Sequence, residues 1–435
     1  MTPEPQAVEP PIDSNYRWII CALLFFATTI NYIDRQILSL LKPILDEQLY
    51  WTNEEFGIVN SAFQGAYGIG LLIFGWFIDK YGTKIGYAVS ITAWSIAALG
   101  HTLVASVGGF IGARIALGLG EGGNFPSAIK AVALWFPKKE RAFATSIFNS
   151  GTNVGAIIAP AIVPWIALTW GWQAAFAAAG MVGFLWLFLW FPFYNVPEKI
   201  RRISAQELAH IRSDTDQNES TVKIPWLSLL RYKQTWSFLL AKFLTDPIWW
   251  FFLVWLPDFF KQTRGLDIKK SWVHLVTIYV IVTVLSIAGG WVAGYLAKRG
   301  WTVTRARKTS MFFFALCVIP MYFVTTVGDW TAVLLIGLAG AAHQAWSANL
   351  FTTVSDMFPK RAVASVIGIG GMAGATGGML FPVITGKLLD VFKASGDVTS
   401  GYAILFAFCA FAYLVTFAVH HLLAPRFETF EMDKA

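Results

Sequence analysis

The sequence predicts an all-α polytopic membrane protein, with twelve transmembrane helices in two pseudo-symmetric six-helix bundles. Three observations carry this reading. Of the 435 residues 56% are hydrophobic and only 14% charged, with a mean hydropathy of +0.56, whereas charged residues make up about a quarter of an ordinary soluble domain. Twelve apolar runs are long enough to cross a hydrocarbon core, which takes about 20 residues of helix. Finally, the two halves echo each other: Phe136-Pro137-Lys138 recurs as Phe358-Pro359-Lys360, and Pro160 recurs as Pro382 at the same offset.

In chain order, residues 1–17 form a polar leader rich in proline and acidic residues, with neither a basic start nor a small-residue cleavage site. No cleaved signal is expected. The spans fall at 18–41, 57–79, 85–104, 108–134, 141–164 and 171–194, then at 235–260, 272–297, 308–326, 331–356, 363–388 and 401–423. The longest polar stretch, 195–234, separates an N-terminal bundle (18–194) from a C-terminal bundle (235–423), and 424–435 is a tail. With both termini on one side, the segments on that side together with the span ends bordering them hold 22 Lys and Arg, and those opposite hold seven: Lys42, Lys261, Arg264, Lys269, Lys270, Lys387 and Lys393. Basic loops stay cytoplasmic, so both ends are expected inside.

The net charge of +7 is therefore a topology signal, and no nucleic-acid partner is expected. Cys21, Cys317 and Cys409 stand alone in apolar runs and read as core residues. No metal-ligand cluster, phosphate loop or Ser/His/Asp layout stands out, which argues against an embedded enzyme. The glycine-rich run Gly368 to Gly378 lacks the Lys-Ser/Thr of a phosphate loop and reads as close helix packing.

What stands out is charge inside the spans. Arg114 and Glu121 are seven residues apart, two helical turns on one face, about 10 Å along the axis. Each would cost about 2.5–3.5 kcal/mol facing lipid at the bilayer centre, so both should face an interior cavity. Gly112, Gly118, Gly120, Gly122 and Gly123 remove side-chain bulk around them and should let a neighbouring helix come close. In span 1, Asn31-Tyr32-Ile33-Asp34-Arg35-Gln36 concentrates polar groups. Consecutive residues point about 100° apart, which suits Asp34 toward Arg114 or water and Arg35 toward Glu121.

Span 2 offers Gln64 and Tyr67 on one face and ends in Gly75-Trp-Phe-Ile-Asp79-Lys80-Tyr-Gly82-Thr-Lys84. Its glycines suit a tight turn, and Asp79 could stabilise a neighbouring helix N-terminus, which makes this segment gating machinery. Span 5 contributes Asn149, Ser150, Thr152 and Asn153, groups that suit a polyol or helix packing. Lys242 and Asp246 form an i,i+4 pair beside Pro247, with Lys242 a second cation for an anionic substrate. Adding the repeat offset to Glu121 lands on His343, which with Gln344 and Asn349 places polar groups at depth in span 10. Trp249, Trp250 and Trp346 are large enough to stack on a sugar ring.

These residues resemble the major facilitator superfamily over nearly the whole chain, about 18 to 423, with the 75–84 segment similar to that superfamily's motif between spans 2 and 3. Asn31-Tyr-Ile-Asp-Arg35, Arg114 with Glu121-Gly-Gly-Asn-Phe-Pro126, and Trp135-Phe-Pro-Lys resemble the anion:cation symporter branch, which takes up sugar acids and organic anions with protons. Gly82-Thr-Lys-Ile-Gly-Tyr87, Lys242-Phe-Leu-Thr-Asp-Pro247 and Ala342-His-Gln-Ala345 resemble bacterial hexuronate (galacturonate/glucuronate) transporters. The resemblance implies a proton-coupled symporter of a monoanionic sugar acid in the bacterial plasma (inner) membrane, expected to be a monomer and to need no cofactor beyond the coupling proton. It implies that Asp34 and Glu121 are the proton-coupled carboxylates, Arg35 their partner and Arg114 a coupling or substrate-carboxylate cation. Tyr32, Tyr67, Asn149, Thr152, Lys242, His343 and Gln344 fall where that branch lines its pocket. Two features depart from it: Gly294 stands where the second half's copy of the span 2 motif could carry an acid, and Lys242 where an arginine would give bidentate geometry. The competing readings are a symporter of another organic anion (aldonate or dicarboxylate), an exporter of hydrophobic cations and a non-transporting receptor.

Overall fold

The computed structural model describes residues 14–213 and 226–427. Among these every regular element is helical. The helices are α1 (Tyr16–Leu49), α2 (Asn53–Tyr81), α3 (Thr83–Gly100), α4 (Val107–Glu121), α5 (Asn124–Trp135), α6 (Lys138–Trp170) and α7 (Trp172–Phe193), then the short α8 (Ala205–Arg212) and α9 (Trp226–Leu229). They continue with α10 (Lys233–Arg264), α11 (Ile268–Lys298), α12 (Val303–Val318), α13 (Asp329–Met357), α14 (Lys360–Ala394) and α15 (Val398–Leu423).

Eight of these, α1, α2, α6, α7, α10, α11, α14 and α15, are each long and apolar enough to cross a membrane by length and composition. The remaining spans are α3, the α4–α5 pair, α12 with the 3-10 turn Ile319–Phe323 behind it, and α13. The fold is two bundles of six spans, as the apolar runs predict. Helix ends differ from the hydropathy count most at α1, which runs to Leu49 with Pro43 inside it. The fourth span is not one helix. It stops at Glu121 and restarts at Asn124, because Gly122-Gly123 favour a break and the Pro126 ring cannot follow an uninterrupted turn.

The glycines act largely as expected. A methyl on Gly118 would stand 2.5 Å from the Phe63 carbonyl, on Gly122 2.4 Å from the Gly70 backbone and on Gly120 2.6 Å from the Trp94 nitrogen. Backbone contact therefore holds α4 against α2 on one side and α3 on the other. Gly112 is an exception, with open space around it. The same packing explains the glycine-rich α14: Gly370, Gly374 and Gly377 lie against Phe238, Asp246 and the Phe243 carbonyl of α10.

The bundles meet tightly at the end remote from Ser14 and Phe427, the distal end. Lys42 of α1 bridges Asp258 of α10 at 2.8 Å and Asp46 at 2.8 Å, and the Tyr402 hydroxyl donates to Asp258 at 2.6 Å. Asp390 of α14 accepts from the backbone of Asn53 and Glu54 at the start of α2. At the other, proximal end Lys130–Asp79 and Arg307–Asp356 each pair within one bundle.

Between the bundles α8 does more than connect. Glu207, fully buried, accepts the Tyr16 and Arg17 backbone N–H groups at 3.0 Å each, the Arg17 guanidinium at 3.1 Å and the Ser14 hydroxyl. It thus satisfies the free donors at the start of α1 with a negative charge, where the helix dipole favours one. Burial alone would raise the Glu207 carboxyl, but the Ser14, Tyr16 and Arg17 donors outweigh it and hold it below the ordinary glutamate value. A depressed folded value means the contact is fully present above the unfolded glutamate range and is lost as pH falls below that range and through the folded value. Glu207→Gln fixes the uncharged form at neutral pH. It is expected to raise hydrogen exchange of the 205–212 amides about tenfold or more at pH 7, given about 1.5–3 kcal/mol for a charged hydrogen bond.

Candidate functional site

Site construction starts with the α4 break. Because α4 ends at Glu121 and its glycines let it sit against α2, the Glu121 carboxylate comes to lie deep in the N-terminal bundle, facing α1. There the Arg35 Nε donates to Glu121 Oε2 at 2.6 Å, with Glu121 fully buried and Arg35 nearly so. The spacing argument expected Arg35 to meet Glu121, and it does.

Four rings surround the Arg35 guanidinium: Tyr67 at 4.4 Å, Tyr32 at 5.0 Å, Phe63 at 5.4 Å and, from α10 of the other bundle, Trp250 at 5.6 Å. Such faces hold a desolvated cation through the ring quadrupole, each worth about 0.5–2 kcal/mol. Arg114 also lies over Phe63, at 5.5 Å. Beside this closed pair is an open one. Both Asp34 carboxylate oxygens and the Arg114 Nε and Nη2 have no hydrogen-bond partner among the described residues, although each residue is only 1% exposed. Two carboxylates and two guanidiniums thus share one buried region, half of it paired. Buried charge without a partner is costly, so this region is poised to take a proton or an anion.

Next to it lies a cavity beneath the closed distal end, lined by Arg35, Gln36, Asn60, Phe63, Gln64 and Arg114 from the first bundle and Trp250, Leu253, Val254 and Pro382 from the second. Gln64 and Tyr67 fall at this site, as their spacing on α2 suggests. Gln36 appears in the sequence only as the end of the polar 31–36 stretch, and Asn60 and Phe63 carry no signal there, because a lone amide or phenylalanine in an apolar helix gives no direction.

Several other candidates lie elsewhere. Asn149 is exposed on α6, Thr152 and Asn153 are half-buried, and none of the three lines this cavity. His343 is turned into the second bundle, where its Nδ1 is 2.5 Å from the Tyr413 hydroxyl and its ring stacks on Trp249 at 5.6 Å. It occupies the repeat position of Glu121 without standing at the cavity. Asn349 spends its amide N–H on the Ala345 carbonyl of its own helix, and Gln344 is half-buried. Lys242 and Asp246 do pair, at 2.7 Å, with Lys242 also over Phe351 at 4.5 Å.

In the 75–84 segment, Gly82 takes φ +81° and makes the tight turn, whereas Gly75 is mid-helix with nothing near it. Asp79 meets Lys130 of α5 at 2.6 Å, and the Lys84 carbonyl accepts from Trp190. Among the described residues no group of three His, Cys, Asp or Glu could hold a metal.

Two six-span bundles with charged groups sunk at their interface define a secondary transporter, in which the two halves move about a central site. The chain belongs to the Major Facilitator Superfamily, whose family model matches residues 24–382; it is an integral membrane transporter, not an enzyme. It is 30% identical over 399 residues to the hexuronate transporter of Escherichia coli (strain K12), covering 91% of this chain and 90% of that one. It is 28% identical over 390 residues to the D-galactonate transporter of Escherichia coli O6:H1, covering 86% and 89%. Among solved structures it is similar to a bacterial homologue of the human lysosomal transporter Spinster in an inward-facing, unoccupied conformation, with TM-score 0.78 and 15% identity, covering 95% of this chain and 98% of that one.

Proposed function

We propose that the protein imports a monoanionic sugar acid, a hexuronate such as galacturonate or glucuronate, together with protons, by alternating access of the two bundles. The buried Arg35–Glu121 pair beside unpaired Asp34 and Arg114 supports this most directly. Protonation of Glu121 removes the charge that holds Arg35. The freed guanidinium and Arg114 then present two cations to a carboxylate, and the anion offsets the charge the proton brought. In the orientation that keeps the basic loops in the cytoplasm, the closed distal end is extracellular and this conformation faces inward. Lys242, in the second bundle, is the further cation the substrate's carboxylate or hydroxyls meet as the halves close. The Asp79–Lys130 contact with the Gly82 turn is the proximal gate.

An open-chain aldonate is the second reading, favoured by the 28% identity to a galactonate transporter. Charge counting adds a constraint: one proton per anion is electroneutral, whereas two, using Asp34 as well, would draw about 2.3 kcal/mol per 100 mV from the membrane potential. The test is radiolabelled galacturonate uptake into proteoliposomes under an imposed pH gradient, with galactonate and other sugar acids as competitors. Accumulation that follows the gradient is expected, and uptake indifferent to it removes proton coupling.

A further inference from the structure

Of the four rings around the Arg35 guanidinium, Trp250 alone belongs to the second bundle. Its ring centroid is 5.6 Å from the Arg35 guanidinium carbon, it lines the same cavity as Arg114 and Gln64, and it is only half-buried. Its back is fixed by α14. A methyl added to Gly378 would stand 2.9 Å from the indole Cδ1 and 3.2 Å from Nε1, so the glycine marks a seat shaped for this ring. A large flat apolar face thus lies against the Arg35 guanidinium and on the same cavity as Arg114, so a carboxylate engaged by the two arginines brings the body of its solute beside this face.

A solute that fits is a carboxylate joined to a body with a flat apolar side. A pyranose ring has one, formed by its axial C–H groups, and an aromatic face covers it well. An open-chain polyhydroxy acid has hydroxyls all around a flexible backbone and offers no such face. We propose that Trp250 is a specificity-determining residue that stacks on the sugar ring while Arg114 and Arg35 hold the carboxylate, so that the site selects ring-form hexuronates over open-chain aldonates and aldarates. This rests on the sugar-acid reading above and names which of its two substrate classes is preferred. Because the ring comes from the opposite bundle, a stacked pyranose also bridges the halves, whereas an open-chain acid engages only the arginine side.

The experiment compares galacturonate and galactonate uptake, KM and kcat separately, in proteoliposomes of the unaltered protein and of the Trp250→Ala, Trp250→Phe and Gly378→Ala variants. Trp250→Ala is expected to raise the galacturonate KM about tenfold, the scale of one buried aromatic contact, with the galactonate KM changed less than twofold. Trp250→Phe should recover most of the galacturonate affinity, and Gly378→Ala, which displaces the ring without deleting it, should lose selectivity in the same direction. A parallel loss for both acids, or an unchanged ratio of their KM values, overturns the role of Trp250 while leaving sugar-acid transport standing. Transport of neither acid by the unaltered protein overturns the parent reading and this one with it. A variant that fails to fold is recognised by loss of monodisperse protein in detergent, and the two milder substitutions then decide.

Discussion

Glu121→Gln is expected to abolish gradient-driven accumulation of the sugar acid while leaving exchange of labelled for unlabelled substrate across the bilayer. Glutamine has the shape of the protonated carboxyl, so the variant resembles a carrier frozen after proton uptake: Arg35 loses its anionic partner, now paired at 2.6 Å, and stays available to the substrate carboxylate. Binding therefore survives. What disappears is the return step, in which the empty carrier releases its proton and closes the ion pair again. At one proton per anion a gradient of two pH units is worth about 2.7 kcal/mol, which supports about 100-fold accumulation. The variant should give no net uptake into empty vesicles and only exchange in preloaded ones, and full accumulation by it would remove Glu121 from the coupling. Arg35→Ala is the complementary test. It leaves Glu121 buried without its cation, at a cost of about 3–5 kcal/mol, and should lose exchange as well as accumulation, because the substrate's cation goes with it.

This centre could be foreseen because intramembrane charge is expensive and helical spacing limits what each residue can face. Arg35 and Glu121 are brought together by those two arguments, whereas spacing gives only a shared face for Gln64 and Tyr67 and the family resemblance puts Tyr67 in the pocket. For His343 the repeat offset gives depth in the bundle but not rotation about the helix axis, and for Asn149 a polar residue in span 5 gives no direction at all. His343 has the depth of Glu121 and points at Tyr413 and Trp249 instead. Trp250 is legible in the sequence only as one of three tryptophans, with Trp249 and Trp346, able to stack on a sugar ring, until α14 and α1 are seen on either side of it. Glu207 lies in a polar connection where an acidic residue carries no signal, and only the folded chain shows that it caps α1. Lys42 escaped for a further reason. A hydropathy count ends the first span at Leu41, so the lysine reads as a solvated loop charge. In the structure α1 continues to Leu49, and Lys42 is 1% exposed.

That buried lysine sets the second large expectation. Lys42 joins α1 to α10 through Asp258 and also holds Asp46, with Phe56 and Trp255 faces at 5.2 and 5.9 Å. Asp258 is completed by the Tyr402 hydroxyl at 2.6 Å. The cluster exists only while the distal end is closed, because opening pulls the two bundles apart between Lys42 and Asp258. Lys42→Met leaves two carboxylates at the interface without their cation, and breaking such a pair costs about 3–5 kcal/mol. Since that cost falls on the closed state, the equilibrium should shift toward the distally open one by about 100-fold or more. A cysteine at Asn60, which is 5% exposed and lies beneath this closure, reports the shift in a background with Cys21, Cys317 and Cys409 replaced. Labelling by a membrane-impermeant maleimide from the distal side should accelerate in Lys42→Met. Removing both charges, as Lys42→Met with Asp258→Leu, should return the rate most of the way, because the desolvation penalty of the stranded Asp258 goes with its charge. Unchanged labelling in the single variant would show that the cluster is a passive weld. Equal acceleration in single and double variants would show that packing, not charge, closes this end.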